Sequence, residues 1–298
     1  MEPEVFITIL NWNGKKDTLE CLSSLKKIAY KNYEIILVDN GSKDDSVKEI
    51  KKNFPDMTII KNKENLGFAE GSNIGIRHAL KKKADYILLL NNDAIVDKRF
   101  LSEMMKVAES DRKIGIVCPK VYFYSKPEIL QYAGLRFDIT RGKSVLKGYN
   151  EEDIGQFDDI MEMDFCGGTC MLVKRGMFEK VGLFDEDYFA YFEDNDFGFR
   201  VRKEGYKIMF CPKAKIWHKV STSSGGQENP IKEHYMSRNR IIFMRKYATK
   251  IQLASFLPHI LTELIFSSSI LAKNGKFGIL KSKINGTLEG IKWKKRNA

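Results

Sequence analysis

The sequence predicts an α/β protein built on a mostly parallel sheet flanked by helices, with a basic and apolar helical appendage at its end. Three observations carry this reading. Apolar runs of strand length alternate with stretches of helical length and spacing through the first hundred residues. Each run ends in a short polar segment rich in Asn, Asp and Gly. The charge is divided unevenly: residues 231–298 hold 14 Lys and Arg against 3 Asp and Glu, so the whole net charge of +11 lies in the tail and residues 1–230 are neutral.

The strands come first. Val5 to Leu10, Tyr33 to Val38, Met57 to Ile60 and Tyr86 to Leu90 are short, apolar and rich in β-branched residues. Between them, Lys15 to Ile28, Asp44 to Asn53 and Ala69 to Lys83 have helical length and periodicity. A β–α alternation of this kind builds a sheet covered by helices, with ligands taken at the carboxyl ends of the strands. Those ends read "NWNG" (Asn11 to Gly14), "DNGSKDDS" (Asp39 to Ser46), "NKENLGFAEGSN" (Asn62 to Asn73) and "NNDAIVD" (Asn91 to Asp97). Any one of them would serve as a helix cap or turn, but four on one edge point to a ligand. No G-x-G-x-x-G and no G-x-x-x-x-G-K-[ST] follows the first strand, which disfavours a dinucleotide or ATP loop.

With 43% hydrophobic residues over 298 positions the chain can bury a full core. A basic tail on a neutral body suits an anionic surface met by one end of the chain and argues against a nucleic-acid groove. Cys21, Cys118, Cys166, Cys170 and Cys211 are odd in number and lie mostly in apolar runs, and Met1 to Ile9 lacks the pattern of a secretory signal. These features predict a reduced, cytoplasmic protein with buried thiols. The stretch "YFAYFEDNDFGFRVRKEGY" sets Glu193, Asp194 and Asp196 among aromatic residues, an expensive arrangement unless the carboxylates are paired or employed. An acidic helix start, with Asp196 and Arg200 as an i,i+4 pair, is the plainer reading of the same cluster.

Together "VFITILNWNG", "YEIILVDNGSKDDS", "NKENLGFAEGSNIGI", "YILLLNNDAIVD", "FCGGTCMLVKRGMFEKVGLFDEDYFAYFEDNDFGFRVRKEGY" and "IWHKVSTSSGG" resemble, in order, the blocks of family 2 glycosyltransferases, most nearly the rhamnosyltransferase-like and galactofuranosyltransferase-like branch. The resemblance covers about residues 4–245. It implies the GT-A fold, Rossmann-like, in a catalytic domain over 1–230 with a nucleotide-sugar half to about 97 and an acceptor half beyond it. Residues 231–298 then form a helical, membrane-associating segment.

The resemblance also implies roles. Asp39 is similar to the carboxylate that accepts the imide N–H of uracil or thymine, which suits a UDP- or dTDP-sugar, dTDP-rhamnose among them, because a carboxylate offers only acceptors. Asn11, Asn65, Gly67 and Asn92 look like its neighbours in the nucleotide pocket. "NND" stands where the family carries D-x-D, so Asn91 replaces the first carboxylate and Asp93 remains to hold a divalent ion, Mn2+ or Mg2+, with His218 of "IWH" resembling a second ligand. "FEDND" is similar to the family's E-D motif and makes Asp194 the general base of an inverting transfer, with Glu193 orienting the acceptor. Gly167, Gly168 and Thr169 line the passage of the sugar, or form a strand bulge.

The expected acceptor is a glycan or a lipid-linked hydroxyl, as in cell-surface polysaccharide synthesis, and the expected location is peripheral, at the cytoplasmic face of a membrane. Ile251 to Ala272 is apolar and near spanning length but contains Pro258, His259 and Glu263. It reads as an interfacial hairpin with Lys and Arg at anionic headgroups; a true span, packing on the body and a homodimer contact are the alternatives. A sugar nucleotidyltransferase would carry a glycine-rich loop in place of "NWNGKKDTLE", and a non-catalytic nucleotide-sugar binder would lack the base that Asp194 supplies.

Overall fold

Four nearly continuous apolar strands set the frame of the computed structural model, which describes residues 2–220 and 229–294. They are β1 (Val5–Asn11), β2 (Tyr33–Asp39), β3 (Thr58–Lys61) and β4 (Tyr86–Asn91), linked by α1 (Lys15–Leu25), α2 (Ser46–Asn53) and α3 (Gly67–Lys81). All four run parallel in the order β3-β2-β1-β4. Strands buried on both faces need apolar residues at every position rather than alternate ones, and β1 is buried along almost its whole length. The chain leaves β1 toward β2 and β3, then returns to β1's other side with β4, so the order reverses between β1 and β4. Crevices open at such reversals, at the carboxyl ends; here those ends are Asn11 and Asn91.

The sheet is then extended. After β5 (Ala94–Val96) and α4 (Phe100–Ser110) come β6 (Ile114–Phe123), β7 (Lys126–Tyr132) and a small hairpin of β8 (Leu135–Asp138) and β9 (Lys143–Leu146). Next are β10 (Met161–Glu162), β11 (Cys170–Lys174), α5 (Arg175–Val181), α6 (Glu193–Lys203) and β12 (Lys207–His218). β11 inserts antiparallel between β4 and β6, and β12 lies parallel to β6 while pairing antiparallel with β5. The predicted sheet is therefore present, with a mixed outer half. The β12–β5 register sets His218 opposite Ala94, one residue beyond Asp93.

One expectation is corrected. Cys21, Cys170 and Cys211 are buried free thiols as predicted, but Cys118 and Cys166 form a disulfide. The pairing of β6 with β11 brings the two together across 48 residues, a proximity no local spacing reveals.

The chain divides into two compact units. The first comprises Met1–Arg136, Leu146–Phe189 and Glu193–Ser223; the second comprises Phe137–Val145, Ala190–Phe192 and Ser224–Ala298. Within the second, α7 (Pro230–Tyr247) packs closely on α9 (Phe277–Lys292), because Gly286 and Gly290 let the backbones touch: a β-carbon on Gly286 would stand 2.2 Å from the His234 carbonyl oxygen. Between them α8 (Lys250–Lys273) begins in a capping box of Thr249 and Gln252. Of the sequence motifs, 221–226 and 295–298 lie outside the described residues.

Candidate active site

The polar edge at the ends of β1, β2 and β4 is one hydrogen-bonded network. Asn11 and Asp39 are register partners in β1 and β2, and Asn11 Nδ2 donates to Asp39 Oδ1 at 3.0 Å and to Ser42 Oγ at 3.1 Å. Asn11 Oδ1 accepts from Thr18 Oγ1 at 2.8 Å and from Gly14 N at 3.2 Å, while Asn92 Nδ2 donates to Thr18 Oγ1 at 2.9 Å. Asp39 is 4% exposed, and its second oxygen accepts from Ser42 N. Each oxygen keeps capacity for a further donor.

Asn65 and Gly67 join the same network through Asn40. That side chain donates to Asn65 Oδ1 at 2.9 Å and to the Gly67 carbonyl at 3.0 Å, and accepts from Asn62 Nδ2 and Leu66 N. Gly67 opens α3 at φ 81°, and a β-carbon there would lie 2.3 Å from the Phe189 carbonyl oxygen, which already accepts from Phe68 N at 2.7 Å. Only glycine fits both constraints. All five residues predicted for the nucleotide pocket are thus gathered.

Asp93 and His218 meet as the β12–β5 register requires, with His218 Nε2 3.2 Å from Asp93 Oδ1. The other ring nitrogen, Nδ1, stands 2.8 Å from Gln131 Oε1 and donates to it. With Nδ1 donating to Gln131, Nε2 is the ring atom turned toward the carboxylate, where a proton or a cation can lie between the two groups. Among the described residues no three His, Cys, Asp or Glu gather to hold an ion unaided. A donor set of two fits a divalent ion whose remaining ligands are substrate phosphates and water.

The third group is the start of α6. Its first turn carries Glu193, Asp194 and Asp196, as the plainer reading of the sequence foresaw, yet the first and third are buried rather than solvated. Asp196 pairs with Arg200 at 2.8 Å, and the guanidinium also donates to the Val181 and Leu183 carbonyls. Asp194 is fixed through both oxygens: Oδ2 accepts from Gly168 N at 2.9 Å, and Oδ1 from Asn195 N and Nδ2. Burial raises its pKa above the ordinary aspartate range despite those donors. Glu193 is 4% exposed and its Oε2 has no hydrogen-bond partner among the described residues. Burial first, then the neighbouring Asp194 charge, pushes its pKa well above the usual carboxylate range.

Gly167, Gly168 and Thr169 form the turn ahead of β11, not a bulge within a strand. The Thr169 carbonyl accepts from Asn91 N at 2.9 Å, so the turn that holds Asp194 is tied to the end of β4. Phe68 covers Gly168, 3.3 Å from where a β-carbon would stand. Sequence reasoning passed over Asn40, Thr18, Ser42 and Gln131. The first three lie in or beside the polar segments after β1 and β2 and were legible as members of that edge; Gln131, inside β7, carried no local signal.

Residues 5–182 match the family model described as glycosyl transferase family 2. A low-salt glycan biosynthesis hexosyltransferase of Haloferax volcanii is 23% identical over 81% of this chain and 76% of its own length. A dTDP-rhamnosyl transferase of Shigella flexneri is 23% identical over 98% and 97%. An N-acetylglucosaminyl-diphospho-decaprenol L-rhamnosyltransferase of Mycobacterium tuberculosis is 24% identical over 68% and 72%. Among solved structures, a mannosyltransferase of Pyrobaculum calidifontis in complex with GDP-Man and Mn2+ superposes with a TM-score of 0.61, at 16% identity over 98% of this chain and 85% of that one. The GalNAc-T7 structure with UDP, GalNAc and Mn2+ superposes at the same TM-score over 80% and 51%. Both share the GT-A fold.

Proposed function

The chain belongs to glycosyl transferase family 2 and is a glycosyltransferase of the hexosyltransferase kind, and from that premise we propose an inverting transfer from a UDP- or dTDP-sugar to a hydroxyl of a glycan or lipid-linked acceptor. The observation that carries the reading is the Gly168–Asp194 bond. It fixes a half-buried carboxylate on the turn tied to β4's carboxyl end, where a donor sugar would sit. In this reading Asp39 accepts from the base, Asn11 and Asn92 line the nucleotide, and Asp93 with His218 holds a divalent ion. Such an ion would offset the negative charge that accumulates on the departing diphosphate. Asp194 takes the proton as the acceptor oxygen attacks the anomeric carbon, and the bond to the diphosphate breaks on the opposite face.

The rhamnosyl transfer named for two relatives supports dTDP-rhamnose as a donor, and the diphospho-decaprenol in one of those names supports a lipid-linked acceptor. The basic, apolar second unit supports work at a membrane surface, and we place the protein peripherally, on the cytoplasmic side. The test is a thermal-shift and turnover panel of UDP-sugars, dTDP-sugars and GDP-mannose with Mn2+, Mg2+ or chelator, followed by the anomeric configuration of the product. Stabilisation by a uracil or thymine nucleotide only with metal, and an inverted product, are expected. Preference for GDP-mannose, chelator-insensitive binding or a retained configuration would overturn the corresponding part.

A further inference from the structure

The second unit contains a cleft of about 460 Å³ that includes none of the residues assigned to the transfer, lined by Arg141, Lys143, Arg240, His259, Thr262, Glu263 and Phe266. Arg141, Lys143 and Arg240 bring three positive charges to this lining against Glu263; Asp138 pairs with Arg141 at 3.7 Å, and Lys283 also reaches Glu263 at 3.7 Å. Glu263 binds Lys143 at 2.8 Å and Arg240 at 2.9 Å, and these cations hold its carboxyl below the ordinary glutamate range against the opposing effect of burial. It stays ionised and organises the cleft without neutralising it. Arg240, whose side chain is only 10% exposed, is immobilised further by donating to the Arg141 carbonyl and by lying over the Phe256 ring. Arg141 and Lys143 reach solvent. The result is a built anion site: a fixed guanidinium at the base and two extended cations at the mouth.

What adjoins this cleft identifies the ligand. α8 is long and apolar enough to cross a membrane by length and composition, yet only 6% of its most apolar stretch is buried. Leu257, Leu261 and Ile265 recur at four-residue spacing and so share one side of the helix, all more than half exposed. Phe266, next in sequence to Ile265 and 70% exposed, lines the cleft itself, so the cleft also carries an exposed apolar surface. The opposite side of α8 is committed to its own unit through Glu263 and the buried Phe256. A helix tied down along one side and bare along the other suits the plane of an interface better than a path through a bilayer.

We propose that the cleft binds the phosphate of an anionic membrane lipid while the lipid's acyl chains lie along Leu257, Leu261, Ile265 and Phe266. This deepens the membrane reading given above and rests on it. An anionic headgroup with an apolar body matches the two surfaces in their order around α8, whereas a soluble phosphate would leave the apolar side bare.

The test is co-sedimentation of the full chain with phosphatidylcholine vesicles, with and without phosphatidylglycerol. Binding should require the anionic lipid. The Arg141→Ala/Lys143→Ala double variant should weaken partition roughly 30-fold, at about fivefold per basic residue near the surface. A Lys273→Ala/Lys281→Ala double variant, which removes equal charge outside the cleft and so only the general attraction to the surface, should weaken it clearly less than the cleft variant does. Leu261→Ser/Ile265→Ser should also weaken binding. Unchanged thermal shift with donor nucleotide would show that each variant is folded. Failure of the unaltered chain to bind any vesicle overturns both this proposal and the membrane reading. Equal losses in the two charge variants, or full retention by Arg141→Ala/Lys143→Ala, overturn the cleft alone. A dimer in light scattering that Leu261→Ser/Ile265→Ser dissolves would assign the apolar side to a second copy instead.

Discussion

The nucleotide edge and the start of α6 are both clusters of polar side chains in the first unit, but they treat their hydrogen bonds in opposite ways. At the edge, Asn11 and Asn40 each use donors and acceptors on several protein partners, so the arrangement is set before any ligand arrives. At α6, Glu193 Oε2 is buried without a partner among the described residues, and Asp194 is anchored while its pKa is pushed up by burial. The backbone leading into α6 is strained as well: Tyr191 and Phe192, neither of them glycine, have φ of 69° and 74°, at a cost of roughly 1–3 kcal/mol each. Asn239 Nδ2 donates to both the Ala190 and Tyr191 carbonyls at 2.8 Å and holds that strain in place. The edge is internally satisfied, while the helix start combines an unpartnered buried carboxylate oxygen, among the described residues, with a strained lead-in.

The sharpest way to break this comparison is Asp194→Asn. The substitution keeps size and most hydrogen bonds but cannot accept the acceptor's proton, so transfer should fall ~100-fold or more while donor affinity survives. In the unaltered enzyme the acid limb of the rate profile should lie above the ordinary aspartate range, because the base must be ionised and its pKa is raised. Near-normal transfer by Asp194→Asn would remove the helix start from the chemistry and leave the nucleotide edge as the only assigned centre.

Asp93→Ala probes the boundary between the two. It removes the only carboxylate of the Asp93–His218 pair, so metal-dependent stabilisation by nucleoside diphosphate should vanish, and His218→Ala should weaken it partially. Diphosphate affinity that is equal with and without chelator in the unaltered protein would exclude this role. Asp39→Ala comes next. Losing one acceptor toward the base leaves a donor unpaired, worth about 1–3 kcal/mol, so the nucleotide Kd should rise roughly 5- to 150-fold with kcat little changed. A fall in kcat at constant Kd would contradict the receptor character of the edge.

The parallel half of the fold was legible because buried parallel strands announce themselves as short apolar runs. β1, β2 and β4 are found within one residue of where the runs predict them, and α1 and α2 lose only terminal turns. The edge was legible for a related reason, since strand ends that bind ligands collect short polar residues. What escaped was non-local. His218 reaches Asp93 only because β12 pairs with β5, and sequence reasoning found it through family resemblance, its surroundings being bland. Gln131 and the Cys118–Cys166 bond depend on strand neighbours no periodicity encodes. Glu193 is intermediate: an acid among aromatics was visible as a cost, but its missing partner was visible only in three dimensions.

The smallest expected effect is the most direct measure of that cost. Glu193→Gln should slow transfer by only a few fold, since Gln keeps a hydrogen-bonding group where the acceptor would lie. Its effect on stability depends on pH. The folded state raises the Glu193 pKa above its unfolded value, so folding binds this proton more tightly and is favoured at low pH. That advantage declines as pH rises from the ordinary glutamate range through the folded value, beyond which an ionised Glu193 is buried beside Asp194. Glutamine carries no such charge. The Tm of Glu193→Gln should therefore match the unaltered chain below about pH 4 and exceed it increasingly toward pH 8, by about 2–4 °C for each kcal/mol recovered. A variant less stable at pH 8 than the unaltered chain would mean that the Glu193 charge is partnered, and the contrast between a satisfied edge and an unsatisfied helix start would have to be given up.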